Sequence, residues 1–278
     1  MEKAYDYQFT DQHIEDFRKM VSEHTGIALS DAKKEMVRGR LTRRLRKLEL
    51  SGFDDYVDYI IENPAKEVGN FINAVTTNLT SFFREGHHFD YLGQTLLPDL
   101  IKEKYQSHKI RIWSAGCSTG EEPYSIAMTL RENIPNIDAW DIRILATDID
   151  TNVLAKGREG IYEKDKVTDL DRSRVKRWFI KGCNGHADCV QVIPELQEMI
   201  VFKRLNLMEV WPIKGTFDIL FCRNVVIYFD KPTQRILFER FCKHLTPNAH
   251  MFIGHSESLF KITERFQLLG NTIYRRFK

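Results

Sequence analysis

The chain has 278 residues, 42% of them hydrophobic, with 41 Lys and Arg against 39 Asp and Glu. That length holds one large domain or two of ordinary size, and a net charge of +2 gives no ground for a nucleic-acid-binding class. No apolar stretch approaches a membrane span, and the N-terminal MEKAYDYQFTDQHIEDF lacks the basic and apolar blocks of a signal peptide, so a cytoplasmic protein with no membrane insertion is expected.

The first third reads as helical. Phe9, Ile14, Phe17, Met20 and Val21 fall at helical spacing, with Thr10 or Asp11 placed to cap and Gly26 to end the helix. A second helix starts near Ser30 and carries Val37, Leu41, Leu45 and Leu48 on one stripe until Gly52. Arg40, Arg43, Arg46 and Lys47 point largely the other way. Such a face is usually just a solvated one, but solvated faces normally mix signs, and here there is almost no acid between Lys33 and Lys47. FDDYVDYIIEN makes a third helix ending at Pro64, and a fourth runs from about Lys66 to Thr76. Residues 1–77 are read as a helical N-terminal domain, 78–90 as a linker and 91–278 as a second domain.

After a helical stretch around Tyr91–Tyr105 the character changes. KIRIW, IRILATDID, MIVFKRLNL, FDILFCRNVVIYF and HMFIGHSES are short apolar runs, most of them separated by helix-like segments such as PYSIAMTLRENI, TNVLAKGREG and PTQRILFERFCKHL. This alternation predicts a parallel α/β sheet, and FQLLGNTIYRRF adds an antiparallel pair at the end. RVKRWFIKGCNGHADCVQVIPEL reads as an insert at about 176–196, two short strands around a Gly-Cys-Asn-Gly turn. Cys117, Cys183, Cys189, Cys222 and Cys242 form an odd, scattered set that suits free thiols. Cys183, His186 and Cys189 have no fourth ligand close in sequence for a structural zinc site, so no metal is expected.

In an open parallel sheet, ligands bind beyond the carboxyl ends of the strands at the switch point. Three strand ends can be read directly. One is the SAGCSTG loop after KIRIW. Another is Asp148, whose carboxylate is placed to accept both hydroxyls of a ribose, although it reads equally well as a cap for the next helix. The third is Cys222–Asn224 after FDILF. Glu121 and Glu122 stand where a pyrophosphate would otherwise meet the helix N-terminus, which argues against a dinucleotide. S-adenosylmethionine carries an ammonium and a sulfonium and no phosphate, and suits a loop with carboxylates. The antiparallel tail also fits a methyltransferase sheet better than a dehydrogenase sheet.

NLTSFFRE (Asn78–Glu85), STGEEPYS (Ser118–Ser125), TDID (Thr147–Asp150), NL at Asn206–Leu207, CRNVVIYFD (Cys222–Asp230) and GHSES (Gly254–Ser258) appear in an order that resembles the CheR family of chemotaxis receptor methyltransferases. The resemblance covers nearly the whole chain. It implies an all-helical N-terminal domain followed by a Rossmann-like class I methyltransferase sheet with a small antiparallel β-subdomain insert. It implies S-adenosylmethionine as cofactor, leaving as S-adenosylhomocysteine, and contacts to it from Asn78, Thr80, Arg84, Glu122, Asp148, Asn206, Leu207, Arg223 and Asn224. By composition alone Asn78–Arg84 is a polar linker, with Phe82 and Phe83 reading as core.

The implied reaction is transfer of a methyl group to glutamates of methyl-accepting chemotaxis receptors. A glutamate side chain, which ordinarily titrates at about 4.3, is already anionic at neutral pH, so no general base is needed. Arg84 and Tyr228 are the candidates for holding the substrate carboxylate; Tyr228 reads nearly as well as a residue closing its strand. Arg40, Arg43, Arg46 and Lys47 are assigned to docking the acidic receptor bundle. In some members the β-subdomain binds a peptide at the receptor's C-terminal tail; here it reads equally as cover for the sheet end. A monomer is expected. A nucleic-acid methyltransferase would show an Asn/Asp-Pro-Pro-aromatic tetrad where this chain has RNVVIYFD, and an RNA-binding module would interleave aromatics with the basic residues.

Overall fold

The apolar stripes of the first third close on one another. In the computed structural model, which describes residues 7–183 and 186–277, helices α1 (Asp11–Thr25), α2 (Lys34–Leu48), α3 (Phe53–Glu62) and α4 (Pro64–Val75) share a core that includes Phe17, Leu41, Leu45, Tyr56 and Phe71. Thr10 caps α1: its hydroxyl accepts from the His13 amide at 3.3 Å, and the His13 ring accepts from the Thr10 amide at 3.1 Å. Gly26 ends that helix. The second helix differs from its expected limits. A 3₁₀ turn at Asp31–Lys33 precedes it, and Glu49, at φ 57°, stops it before Gly52. The fourth begins at Pro64, because proline suits a first helical position where the missing N–H has no partner.

The second part opens with α5 (His87–Tyr91) and α6 (Leu97–Glu103). Then follow β1 (Lys109–Ala115), α7 (Glu121–Asn133), β2 (Asp141–Asp148), α8 (Thr151–Glu159), β3 (Ile161–Glu163), α9 (Arg172–Trp178), β4 (Phe179–Cys183) and β5 (His186–Val192). The remaining elements are α10 (Pro194–Gln197), β6 (Ile200–Arg204), β7 (Phe217–Cys222), α11 (Lys231–Lys243), β8 (Leu245–Ile253), β9 (Phe266–Gly270) and β10 (Ile273–Arg276).

Among the described residues, seven strands form one sheet in the order β6-β2-β1-β7-β8-β10-β9. The pairs from β6 to β8 are parallel, and β10 runs antiparallel between β8 and β9. The order reverses at β1, so the crevice lies between the ends of β1 and β7. Alternate residues serve opposite faces: Ile110, Ile112, Ile219 and Phe221 pack on one side, Trp113, Ala115, Leu220 and Cys222 on the other. No helix among the described residues is long and apolar enough to cross a membrane.

The insert is larger than the 176–196 hairpin expected. β3 joins it as a third strand, with Tyr162 opposite Val190, giving the order β3-β5-β4. Three residues directly after a helix carry no legible alternation. Asn184 and Gly185 of the expected turn lie outside the described residues. Cys117, Cys222 and Cys242 are free thiols, whereas Cys189 is disulfide-bonded, which corrects the expectation of thiols throughout.

The helical core holds a buried ion pair. Glu67, 1% exposed, pairs with Arg44 through Nε at 2.6 Å and accepts from the Tyr56 hydroxyl at 2.8 Å. Glu67→Ala strands a guanidinium and a phenol, and should cost about 3–5 kcal/mol in urea unfolding. A loss below about 1 kcal/mol, the range of an exposed pair, would show that this network contributes little.

Candidate active site

Beyond β1 the chain turns back across β2. The amides of Gly116 and Cys117 both donate to the Thr147 carbonyl, at 2.8 and 2.9 Å. Gly116 sits at φ 81°, and a Cβ there would lie 2.3 Å from Val225 Cγ2, so a side chain is excluded on both counts. The loop delivers the Ser118 amide to Asp148 Oδ2 at 2.8 Å, while the Asp150 amide reaches Oδ1 at 3.0 Å. Asp150 is the residue that caps α8, through the Asn152 and Val153 amides. Asp148 is therefore not the helix cap, and its carboxylate faces the crevice. At 8% exposure, burial pushes its pKa up to about 6, against the pull of the two amides.

The opposite wall is built on Arg223, at the end of β7. It donates to Glu122 Oε2 at 3.3 Å and to the Arg84 carbonyl, and lies 3.4 Å from Glu85 Oε2. Ser114 holds the other Glu122 oxygen at 2.7 Å. Burial raises the Glu122 pKa, and Arg223 opposes that rise. Glu121, its neighbour in the first turn of α7, turns away from the crevice, is buried and accepts from the Thr119 hydroxyl at 2.6 Å.

The linker is stapled across these strand ends. Asn78 Nδ2 donates to Asp150 at 2.7 Å, and the Asn78 carbonyl accepts from the Ser118 hydroxyl at 2.9 Å. Arg84 Nη1 donates to the Leu79 carbonyl at 2.9 Å. Phe82 is buried against Tyr162 and Phe179, while Phe83 is half-buried under the Arg174 guanidinium.

Between linker, strand ends and helical domain lies a cavity of about 270 Å³. Asn78, Thr80, Arg84, Glu122, Asp148, Asn206, Leu207, Arg223, Asn224 and Tyr228 all line it. Several already have work within the chain. Asn206 Nδ2 donates to the His24 carbonyl at 2.7 Å, tying the end of α1 to the sheet, and the Tyr228 carbonyl accepts from the Ala28 amide at 2.8 Å. Leu29, Lys33, Ile72 and Val75 complete the wall from the helical domain. Nothing in the sequence singles them out, because they are ordinary turn and stripe residues until the two parts meet. The Lys33 ammonium stands 4.2 Å over the Tyr228 ring with no carboxylate partner among the described residues. Burial, then Arg40, lowers its pKa.

The basic face of α2 lies away from this lining. Arg43, Arg46 and Lys47 are exposed and without partners among the described residues. Arg40 departs from the outward orientation expected of it. It is half-buried and donates to the Ala74 and Thr76 carbonyls at the end of α4. Four last-turn carbonyls lack helical partners, and a long cation one helix away reaches them.

Residues 12–76 match the all-alpha domain of the CheR methyltransferase family, and residues 78–275 match its S-adenosylmethionine-binding domain. The chain is similar to chemotaxis protein methyltransferase 2 of Pseudomonas aeruginosa, 41% identical over 271 residues, covering 97% of this chain and 94% of that one. It is 42% identical over 268 residues to the chemotaxis protein methyltransferase of Escherichia coli, covering 95% and 91%. It is 41% identical over 251 residues to the chemotaxis protein methyltransferase of Borreliella burgdorferi, covering 87% and 86%. These matches do not favour a nucleic-acid methyltransferase or an RNA-binding module. The chain belongs to the CheR methyltransferase family, with the all-α domain set ahead of the methyltransferase domain that binds S-adenosylmethionine.

Proposed function

We propose that the protein esterifies glutamate side chains in the cytoplasmic domains of chemoreceptors, acting as a cytoplasmic monomer. The residues lining the cavity are assigned to cofactor and substrate. Residues 1–77 serve as the substrate-facing domain, 78–90 as the linker and 91–278 as the catalytic domain. The observation that carries the reading is Lys33: a half-buried ammonium at the cavity wall, stacked on Tyr228 and lacking an anion among the described residues.

The cavity suits S-adenosylmethionine. Each oxygen of Asp148 already accepts one main-chain N–H, and an ionised carboxylate keeps lone pairs for two ribose hydroxyls. The charge pair of Glu122 and Arg223 lies across from it. Bound S-adenosylmethionine supplies an electrophilic methyl group. The chain's part is placement. Arg84 and Lys33 bring two cations to Tyr228, and a substrate carboxylate between them would gain charge-assisted bonds and one orientation. Since that carboxylate is ionised at neutral pH, no base is required.

Outside the cavity, Arg43, Arg46 and Lys47 supply a positive face for an acidic helical bundle, with Arg40 holding α4 beneath them. β4 is an edge of the small sheet, and an extended receptor tail could add to it through main-chain hydrogen bonds, raising the local substrate concentration. The loop Gly182–Asp188 that would border such a peptide falls partly outside the described residues.

Incubation with methyl-labelled S-adenosylmethionine and receptor cytoplasmic fragments should give label that alkali releases as volatile methanol. Label that resists alkali would rule out a glutamate ester. Replacing Arg43 and Arg46 with Glu should lower the methylation rate and flatten its salt dependence while cofactor affinity holds. Unchanged kinetics would remove α2 from docking. Asp148→Ala should weaken cofactor binding by about 2–4 kcal/mol in calorimetry. Because burial raises the Asp148 pKa to about 6, it is ionised above that value. Wild-type affinity should therefore fall as pH drops through 6, and Asp148→Asn should abolish that limb. Asp148 leaves the site if the wild-type affinity is flat across this range.

A further inference from the structure

One buried carboxylate close to the cavity takes no part in the assignments above. Glu257, 5% exposed, follows β8 and has no cationic side-chain partner among the described residues. Its two oxygens accept from main chain alone: Oε2 from Asn224 at 2.9 Å and Gly254 at 2.5 Å, Oε1 from Ile227 at 3.3 Å. Burial raises its pKa, and these amides oppose the rise. Three converging N–H donors need a group that only accepts, with two oxygens. An amide side chain would turn its NH₂ toward one of them. A charge kept out of water without a cation is costly, so it marks a segment that must be held in one shape.

That segment is the exit of β7. Asn224 sits in the left-handed region at φ 58°, and Ile227 lies in the 3₁₀ turn Val226–Tyr228. The two amides flank Val225, the residue packed against Gly116. Fixing them fixes Asn224 at the cavity wall and Tyr228 under Lys33. The turn is braced from its other side as well. The Glu257 amide closes on the Gly254 carbonyl at 2.9 Å, and His255, next to Gly254, donates its amide to Glu85 at 3.3 Å. Gly254 allows the approach: a Cβ there would lie 2.4 Å from Asn224 Nδ2 and 2.9 Å from the Asn224 amide.

We propose that Glu257 is a positioning residue for methyl transfer, locking the Arg223–Tyr228 segment into its working conformation through the Asn224 and Ile227 amides. It acts through these residues and does not touch the reacting atoms. The inference rests on the receptor-glutamate reading for turnover only. Cofactor titration tests it independently.

Glu257→Gln in the full chain should lower kcat on a receptor fragment at least about tenfold and weaken S-adenosylmethionine binding roughly fivefold, with far-UV circular dichroism unchanged. Combined with Tyr228→Phe, the loss in kcat should be clearly less than the product of the two single losses, since both variants disturb one element. Should Glu257→Gln fail to fold, Gly254→Ala tests the same contact from the other side and should show the same losses and the same non-additivity. A wild-type chain that methylates no receptor glutamate defeats the proposed substrate but leaves the titration to decide on Glu257. Glu257 has no positioning role if both kcat and cofactor affinity stay within about twofold of wild type, or if its loss multiplies freely with that of Tyr228→Phe.

Discussion

Arg223 is a permanently charged side chain that is 6% exposed, and the strand ends are arranged around the need to neutralise it. Glu122 arrives from the first turn of α7, Glu85 from the linker, and the Arg84 carbonyl takes a further donor. Two carboxylates and one guanidinium out of water are stable only as a set, because any one alone would carry a large desolvation cost. The loop after β1, the linker and the end of β7 thus lie in one register. The Glu122 carboxylate is needed for that balance, which accounts for acid at a helix start that in phosphate-binding relatives of this architecture would be left free for an anion.

The same seam explains why the helical domain is not an independent decoration. It docks by main-chain and amide contacts at the ends of the sheet: His24 to Asn206, Ala28 to Tyr228, and the linker's Asn78 to the Asp150 cap. These are polar and directional, so they set distance and angle where apolar packing would tolerate sliding. The consequence is a cavity with one wall from each part. Strand-end carboxylates face it from one side and Lys33 from the other.

Charge on α2 is divided between two tasks. Arg44 enters the helical core and Arg40 reaches the α4 carbonyls, while Arg43, Arg46 and Lys47 stay in water. Of these, the last group alone keeps its donors free for a partner, because those of Arg44 and Arg40 are taken up by Glu67 and by the α4 carbonyls. A helix that looks uniformly basic in sequence is, in the fold, part scaffold and part surface.

Much of this was legible in the chain itself. Period 3.6 in the first third, short apolar runs alternating with helices, and an apolar pair broken by Gly-Asn at the end are local patterns, and local patterns follow from backbone geometry. Asp148 and the Cys222–Asn224 segment were legible as strand ends, where a parallel sheet must present its polar groups. Three things were decided only by tertiary structure. β3 is too short to show a period and exists because β5 pairs with it. Arg40 and Glu121 turn inward because partners off their own faces, the α4 carbonyls and the Thr119 hydroxyl, lie within reach. Lys33 and Glu257 gain their surroundings from segments about 195 and 30 residues away, and no spacing rule encodes a contact of that range. Sequence periodicity reports which face a side chain takes on its own element; which charge or amide awaits it there depends on how the elements are packed.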